Sequence, residues 1–230
     1  MATDMATDAR DVCAIIAAAD PDGDLIWREV AGKPLLAWTV AAFEAAPSIA
    51  RILLVIPARR VEQARALQIE QSWRKVSAIL AGADRRRGAI ASALRALPAD
   101  CDLVAIHDAG RPLVTPTLIA AGVALAQKTG VAIPAEPVKE TIKRVREGVI
   151  VGAVPRERLA RAQTPQFFTR ARLQEAYQRR LPDLDPPDEA ALLLKAGFPV
   201  SCYPGDAENL RVTSVEDLPV VEELLRRRSR

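Results

Sequence analysis

Short unbroken apolar runs alternate along the chain with longer stretches patterned for helices. Val12-Cys-Ala-Ile-Ile-Ala17, Arg51-Ile-Leu-Leu-Val-Ile-Pro57, Val76 to Leu80, Asp102-Leu-Val-Ala-Ile-His107 and Gly130-Val-Ala-Ile-Pro134 each have the length of a strand. Continuous apolarity, rather than alternation, marks strands covered on both faces. Between them, helices are expected from Pro34 through Phe43, Val61 to about Gln71, Ile90 to Leu97, and Thr115 to Lys128. Pro34 and Pro116 suit a first helical turn, and Thr115 suits a cap. Further on, Arg170 to Arg180, Asp188 to Gly197 and Val215 to Arg226 read as helices, with Gly197 placed as a C-terminal cap. Strand and helix in alternation imply β-α-β crossovers and an α/β fold, a three-layer and mostly parallel sheet. One domain over residues 11–226 is expected, after a disordered stretch at 1–10 and before a basic tail at 227–230.

One segment departs from this rhythm. Thr141-Ile-Lys-Arg-Val-Arg-Glu-Gly-Val-Ile-Val151 alternates apolar with charged residues and turns at Glu147-Gly148. That is a half-exposed hairpin, at the tip of an arm spanning 138–155. Its two edges are unpaired, so either a dimer partner covers them or the arm stands as a free surface hairpin.

Composition narrows the chemistry. The chain has 230 residues, half of them hydrophobic, with 32 Lys+Arg against 29 Asp+Glu, which excludes a disordered or collagen-like protein. Few aromatics (4%) argue against a stacking platform for single-stranded nucleic acid. The single histidine, His107, and scattered Cys13, Cys101 and Cys202 cannot build a His-rich or Cys₄ zinc site, and no metal-ligating set is expected. Arg226, Arg227, Arg228 and Arg230 account for the whole basic surplus. They read as a solvated terminus in preference to a nucleic-acid handle. No run approaches the roughly 20 apolar residues of a membrane span. The start, Met1-Ala-Thr-Asp-Met5-Ala-Thr-Asp8, lacks the apolar core of a secretion signal. With its cysteines unpaired, the protein is expected in the cytoplasm. Glycine, at 11 residues, is low for a protein that binds nucleotides.

In an open parallel sheet, ligands sit beyond the carboxyl ends of the strands. Two loops there are unusually polar: Gly82-Ala-Asp-Arg-Arg-Arg-Gly88 and His107-Asp-Ala-Gly-Arg-Pro112. In the second, Asp108 and Arg111 suit a phosphorylated, hydroxylated ligand, since the arginine forks onto phosphate and the carboxylate accepts hydroxyl protons. The alternative is a local ion pair between the two. Arg156, Gln163-Thr-Pro-Gln-Phe-Phe168, Asp188-Glu-Ala190 and Glu208-Asn-Leu-Arg-Val-Thr213 follow. Each is weak alone, and Thr-Pro-Gln reads equally as a turn with a capping threonine.

Together and in this order, the motifs HDAGRP (107–112), VKETIKRV (138–145), QTPQFF (163–168), DEAALLLKAGF (188–198) and GDAENLRVTSVEDL (205–218) carry a resemblance. From about Val12 to Arg226 the chain resembles the 2-C-methyl-D-erythritol 4-phosphate cytidylyltransferases. The resemblance implies a Rossmann-like nucleotidyltransferase domain whose hairpin arm interlocks two subunits as a homodimer. It implies transfer of CMP from CTP to a sugar-alcohol phosphate, with Mg²⁺ held mainly by the CTP phosphates. It places Asp108 and Arg111 on the acceptor, with Thr141, Arg156 and Thr164 reaching the acceptor's phosphate and hydroxyls, partly across the dimer. Ala17, Ala18, Ala19, Asp84 and Ala109 fall on the nucleotide, and Arg211 takes the place of a lysine beside the transferring phosphate. Asp108 and Arg211 are thus the catalytic candidates.

The departures from the family cluster on the donor side. Members carry a glycine-rich loop with an arginine after the first strand, then Pro-Lys-Gln; glycines let backbone amides wrap a triphosphate. Here Ala19 replaces the first glycine, the loop is about four residues short, and Asp20, Asp22 and Asp24 stand in it. Leu25 occupies the lysine's place, Ala89 that of a serine on the base, and Arg211 that of a second lysine. Lys33 and Arg28 are the available substitutes for the lost cation. The expectation is an acceptor half kept and a donor half eroded, hence impaired transfer to methylerythritol phosphate. The alternatives are a non-catalytic paralogue retaining the fold, arm and acceptor-phosphate binding, or a transferase for another polyol phosphate.

Overall fold

The computed structural model describes residues 11–18, 24–82, 86–179 and 186–228. Its strands are β1 (Asp11–Ala17), β2 (Glu29–Val30), β3 (Lys33–Pro34), β4 (Arg51–Ile56), β5 (Val76–Ala81), β6 (Cys101–Asp108) and β7 (Val131–Pro137), then β8 (Ile142–Arg146), β9 (Val149–Val154), β10 (Ala160–Ala162), β11 (Gln166–Thr169) and β12 (Ser201–Pro204). Its helices are α1 (Leu35–Ala45), α2 (Val61–Glu70), α3 (Arg86–Ala96), α4 (Pro116–Thr129), α5 (Arg170–Gln178), α6 (Glu189–Lys195) and α7 (Leu218–Arg228).

Eight strands form the central sheet in the order β10-β7-β11-β6-β1-β4-β5, with β12 also on β7. β6, β1, β4 and β5 run parallel, and β11 is inserted antiparallel between β6 and β7. Side chains alternate strictly across the sheet. Val12, Ala14 and Ile16 join a core with residues of α1, α2, α4 and α7, whereas Cys13, Ile15 and Ala17 join one with α3, α5 and α6. Continuous apolar strands are thus filled from both sides, as their pattern required. The three-layer α/β architecture is the one expected.

Local chemistry sets the boundaries. Thr115 accepts the Leu118 amide as the α4 cap, and Asp188 accepts the Ala191 amide for α6. Gly130 closes α4 at φ +81° instead of opening a strand, so β7 begins one residue later than expected. α3 starts a full turn before Ile90, at Arg86. β2, β3, β10, β11 and β12 had no periodic signal: the first two are two residues long and all three residues of β10 are exposed. β8 and β9 form a separate hairpin turning at Glu147 (φ +49°) and Gly148 (φ +79°), the primed turn that a twisted ribbon prefers.

The C-terminus differs from the expected solvated tail. α7 continues through Arg228, which donates to the Leu113 carbonyl at 2.7 Å and to Glu208 at 2.9 Å. Arg227 also pairs with Glu208. The expected disordered stretch 1–10 and residues 229–230 lie outside the described residues.

Candidate active site

The carboxyl ends of β1 and β6 meet where the Ala109 amide donates to the Ala17 carbonyl. A shallow cleft opens there, lined by Ala17, Ala18, Leu25, Asp108, Ala109 and Arg211 among others. Thr39, buried on α1, fixes its floor by donating to the Ala109 carbonyl at 2.8 Å.

Asp108 is the centre of the cleft's electrostatics. Arg86 lies 3.6 Å from Oδ1, and Arg111 and Arg211 lie 3.4 and 3.9 Å from Oδ2. Burial acts to raise this carboxyl's pKa, but Arg86, Arg211 and Arg111 outweigh it and hold the group below the usual carboxylate range. Arg86 Nη1 also donates to both oxygens of Glu189, each at 2.8 Å, and Tyr177 donates to the same carboxylate. Three guanidiniums face two carboxylates, a surplus of positive charge at the ligand-binding edge of the sheet. That arrangement favours an anion.

The local Asp108–Arg111 ion pair therefore exists, and it does not stand alone. Arg111 Nη1 donates to the Asn209 carbonyl at 2.8 Å, tying this loop to the one that carries Arg211. The Val212 amide donates to the Gly110 carbonyl at 2.8 Å, a second tie between the same loops.

Thr164 is buried beside Asp108 instead of capping a helix. Its Oγ1 accepts the Asp108 amide at 3.1 Å and lies 3.0 Å from His107 Nδ1. His107 Nε2 lies 3.3 Å from the Arg111 carbonyl, which can only accept. Nε2 therefore carries the proton, and the Thr164 hydroxyl donates to Nδ1. Burial lowers the His107 pKa to about 3, so the ring is neutral. The one proton of the Thr164 hydroxyl is thereby spent on His107 and one of its two lone pairs on the Asp108 amide.

The two glutamines of the QTPQ motif explain why distant motifs occur together. Gln163 donates to the Asp206 carbonyl at 2.7 Å and accepts the Asp206 amide at 3.1 Å. Gln166 donates to Asp188 at 2.8 Å and accepts the Ala190 amide at 3.2 Å. Asn209 completes the weave by donating to the Thr164 carbonyl at 2.9 Å.

The structure thus brings together Asp108, Arg111, Thr164, Ala17, Ala18, Ala109 and Arg211. It does not bring in Thr141 or Arg156: both are exposed on the arm, where Arg156 donates to the Lys139 carbonyl. Ala19 and Asp84 lie outside the described residues, as do Asp20 and Asp22. Leu25 does line the cleft. Lys33 points elsewhere, over the Trp38 ring at 5.3 Å, and Ala89 is buried in α3. Sequence reasoning missed Arg86 and Glu189 as site residues. Both lay inside flagged segments, but their partnership spans 103 positions and left no local spacing to read. Cys13 and Cys101 are buried and Cys202 exposed, all three free.

An open α/β sheet with a carboxylate ringed by arginines at its carboxyl edge marks the class of α/β proteins that hold a phosphorylated ligand there. Comparison with known proteins sharpens this. The family model for 2-C-methyl-D-erythritol 4-phosphate cytidylyltransferase (IspD) matches residues 12–227. The enzyme of that name from Dehalococcoides mccartyi strain CBDB1 is 40% identical over 205 residues, covering 89% of each chain. The crystal structure of the enzyme of the same name from Thermus thermophilus superposes with a TM-score of 0.78 at 32% identity, covering 93% of this chain and 98% of that one. The 4-diphosphocytidyl-2C-methyl-D-erythritol synthase structure from Anaerococcus prevotii, at 23% identity, shares the fold with a TM-score of 0.85. The chain belongs to the 2-C-methyl-D-erythritol 4-phosphate cytidylyltransferase family.

Proposed function

We propose that this protein transfers CMP from CTP to 2-C-methyl-D-erythritol 4-phosphate and releases pyrophosphate, through a donor side weaker than its relatives'. The observation that carries the reading is Asp108, set among Arg86, Arg111 and Arg211 at the β6 edge. An acceptor phosphate oxygen forms a bond to the donor's α-phosphorus while the bond to the bridging oxygen breaks. The electron pair leaves on pyrophosphate. Such a reaction asks for positioning and charge neutralisation rather than a general base. That suits a chain whose one histidine is neutral and buried.

In this assignment Arg111 holds the acceptor phosphate, Asp108 orients the acceptor, and Arg211, exposed at the cleft mouth, neutralises the phosphorus under attack. Ala17, Ala18 and Ala109 present backbone to the nucleotide. Ala19 and Asp84 keep the nucleotide roles given by resemblance. Thr164 acts through Asp108, whose amide it accepts. Thr141 and Arg156 act on the acceptor from a partner's arm, so the homodimer completes the site. Among the described residues no cluster of three His, Cys, Asp or Glu could cage a metal. Magnesium, which commonly binds one or two carboxylates plus substrate phosphates, fits as an ion carried by CTP with Asp108 nearby. It would supply further neutralisation of the triphosphate. The reading places the protein in the cytoplasm, and none of the described helices is long and apolar enough to cross a membrane.

The test is pyrophosphate release with CTP, Mg²⁺ and methylerythritol phosphate. The expected rate is measurable but well below that of the D. mccartyi enzyme. An equal rate would remove the weakened donor side. Leu25 in the cleft favours one second reading, a non-catalytic paralogue. Acceptor-phosphate binding without any pyrophosphate release would establish it, whereas release only with ribitol phosphate would reassign the acceptor.

A further inference from the structure

A second basic cluster stands at the same edge of the sheet, and no role above uses it. β4 is paired with β1 and β5, so its carboxyl end, Ile56-Pro57, opens beside the cleft. A 3-10 turn over Ala58–Arg60 follows and presents Arg59 and Arg60 in succession. Arg60 Nη2 donates to Asp24 Oδ1 at 2.5 Å, and Arg59 Nη2 lies 3.8 Å from the same oxygen. The Arg60 guanidinium is 5.8 Å from the centre of the Trp27 ring, and its Nη1 donates to Gln63 at 2.7 Å. Its buried Nε has no hydrogen-bond partner among the described residues. Asp24 immediately precedes Leu25, which lines the cleft. Arg60, Arg59 and Arg28 together hold the Asp24 carboxyl below its ordinary pKa.

One carboxylate oxygen, Asp24 Oδ1, shared between two guanidiniums imitates a phosphate oxygen. Asp24 is more than half exposed, so the ion pair is weak and easily exchanged. A triphosphate carries several times its charge. We propose that Arg59 and Arg60 form the seat for the donor's β- and γ-phosphates, and that Asp24 occupies the seat until polyphosphate displaces it. The inference rests on the transferase reading for the identity of the donor. It gives the lost lysine a different replacement from Lys33, one that reaches the donor from β4. In the transfer step, Arg59 and Arg60 take up the negative charge that accumulates on the departing pyrophosphate.

The test is calorimetric titration of the full chain with inorganic tripolyphosphate and, separately, with CTP. Arg59→Gln/Arg60→Gln is expected to weaken tripolyphosphate binding about tenfold or more, the size of a lost charge-assisted contact. Asp24→Asn, which empties the seat without removing a cation, is expected to tighten it several-fold. Opposite signs are the signature, because a purely structural brace would lose the same function from either side. The proposal is overturned if wild type does not bind tripolyphosphate, if the double variant binds it unchanged, or if Asp24→Asn weakens binding. Should the double variant fail to fold, Asp24→Asn decides alone. Turnover separates the two readings. The expected binding shifts without CMP transfer would sink the transferase and keep the seat. CMP transfer indifferent to both arginines would keep the transferase and sink the seat.

Discussion

At the scale of single residues, the site divides by how far apart its partners lie. Asp108 and Arg111 were legible because they are three apart on one turn, where spacing is itself geometry. Arg86 and Glu189 were not, since only the folded sheet brings α3 and α6 together. Thr164 was legible as a site residue, but its partners were not. A hydroxyl that accepts the Asp108 amide and donates to a neutral His107 cannot be inferred from a Thr-Pro-Gln string. Leu25 is the residue whose consequence is most direct. It brings an apolar side chain to a cleft whose charged lining residues are Asp108 and Arg211. A single electrostatic donor at a transition state contributes roughly 3–4 kcal/mol. Leu25→Lys is therefore expected to raise the rate of pyrophosphate release by about ten- to a hundredfold, less than the full value because the shortened loop remains. No gain in a steady-state assay would show that residue 25 does not face the transferring phosphate.

At the scale of elements, burial decided what could be read. β1, β4 and β6 announce themselves because helices cover both faces, and their central residues are apolar for that reason. β11 is as deeply buried, yet it hides. It opens on Gln166, whose amide is spent on Asp188 and Ala190, and only Phe167 and Phe168 are apolar. α7 was read as a helix with a loose basic end, but its last turn bridges the loops after β6 and β12 through Arg228. Those loops carry Arg111 and Arg211, and the first of them follows directly on Asp108, so the C-terminal helix belongs to the scaffold of the site. One close element contact is between α4 and β11. A Cβ added at Gly122 would lie 2.2 Å from the Phe167 ring and 2.5 Å from the Tyr203 hydroxyl. The glycine is needed there for approach, not for backbone freedom. Gly122→Ala is expected to cost about 1–3 kcal/mol, the usual penalty of overpacking, despite alanine's better helix propensity. Urea denaturation checks this, and an unchanged or higher midpoint would mean that α4 can shift away from the sheet.

At the scale of the whole molecule, two properties belong to no single element. The first is the arm. Val145, Val149, Ile150 and Val151 are more than half exposed on β8 and β9. Thr141 and Arg156, which the transferase reading needs, lie at the arm's base, away from the cleft. If a partner's arm completes each site, Ile150→Asp should both produce monomers by light scattering and weaken acceptor use. Arg156→Ala should weaken acceptor use while leaving the dimer intact. Monomers with full acceptor affinity would detach the arm from the site.

The second property is acid sensitivity. Burial holds His107 neutral with a pKa of about 3, against an ordinary value near 6.5. Between those values the unfolded chain binds a proton that the folded chain refuses. Stability therefore falls as pH drops through that window. Asp108 is displaced in the same destabilising sense, because its folded-state pKa lies below the ordinary carboxylate value, but its loss comes only at more acid pH. Since the chain has one histidine, the upper part of the window isolates it. From pH 7 to pH 5 the loss from His107 alone is expected to be about 2 kcal/mol. His107→Gln should flatten that slope even if the variant is less stable at pH 7, because the group that titrates is gone. Urea midpoints at the two pH values decide. A wild-type midpoint unchanged between them would mean that His107 takes up its proton in place. The hydrogen bond it accepts from Thr164 would then be lost without cost, and with it the argument that this threonine holds Asp108 rather than touching substrate.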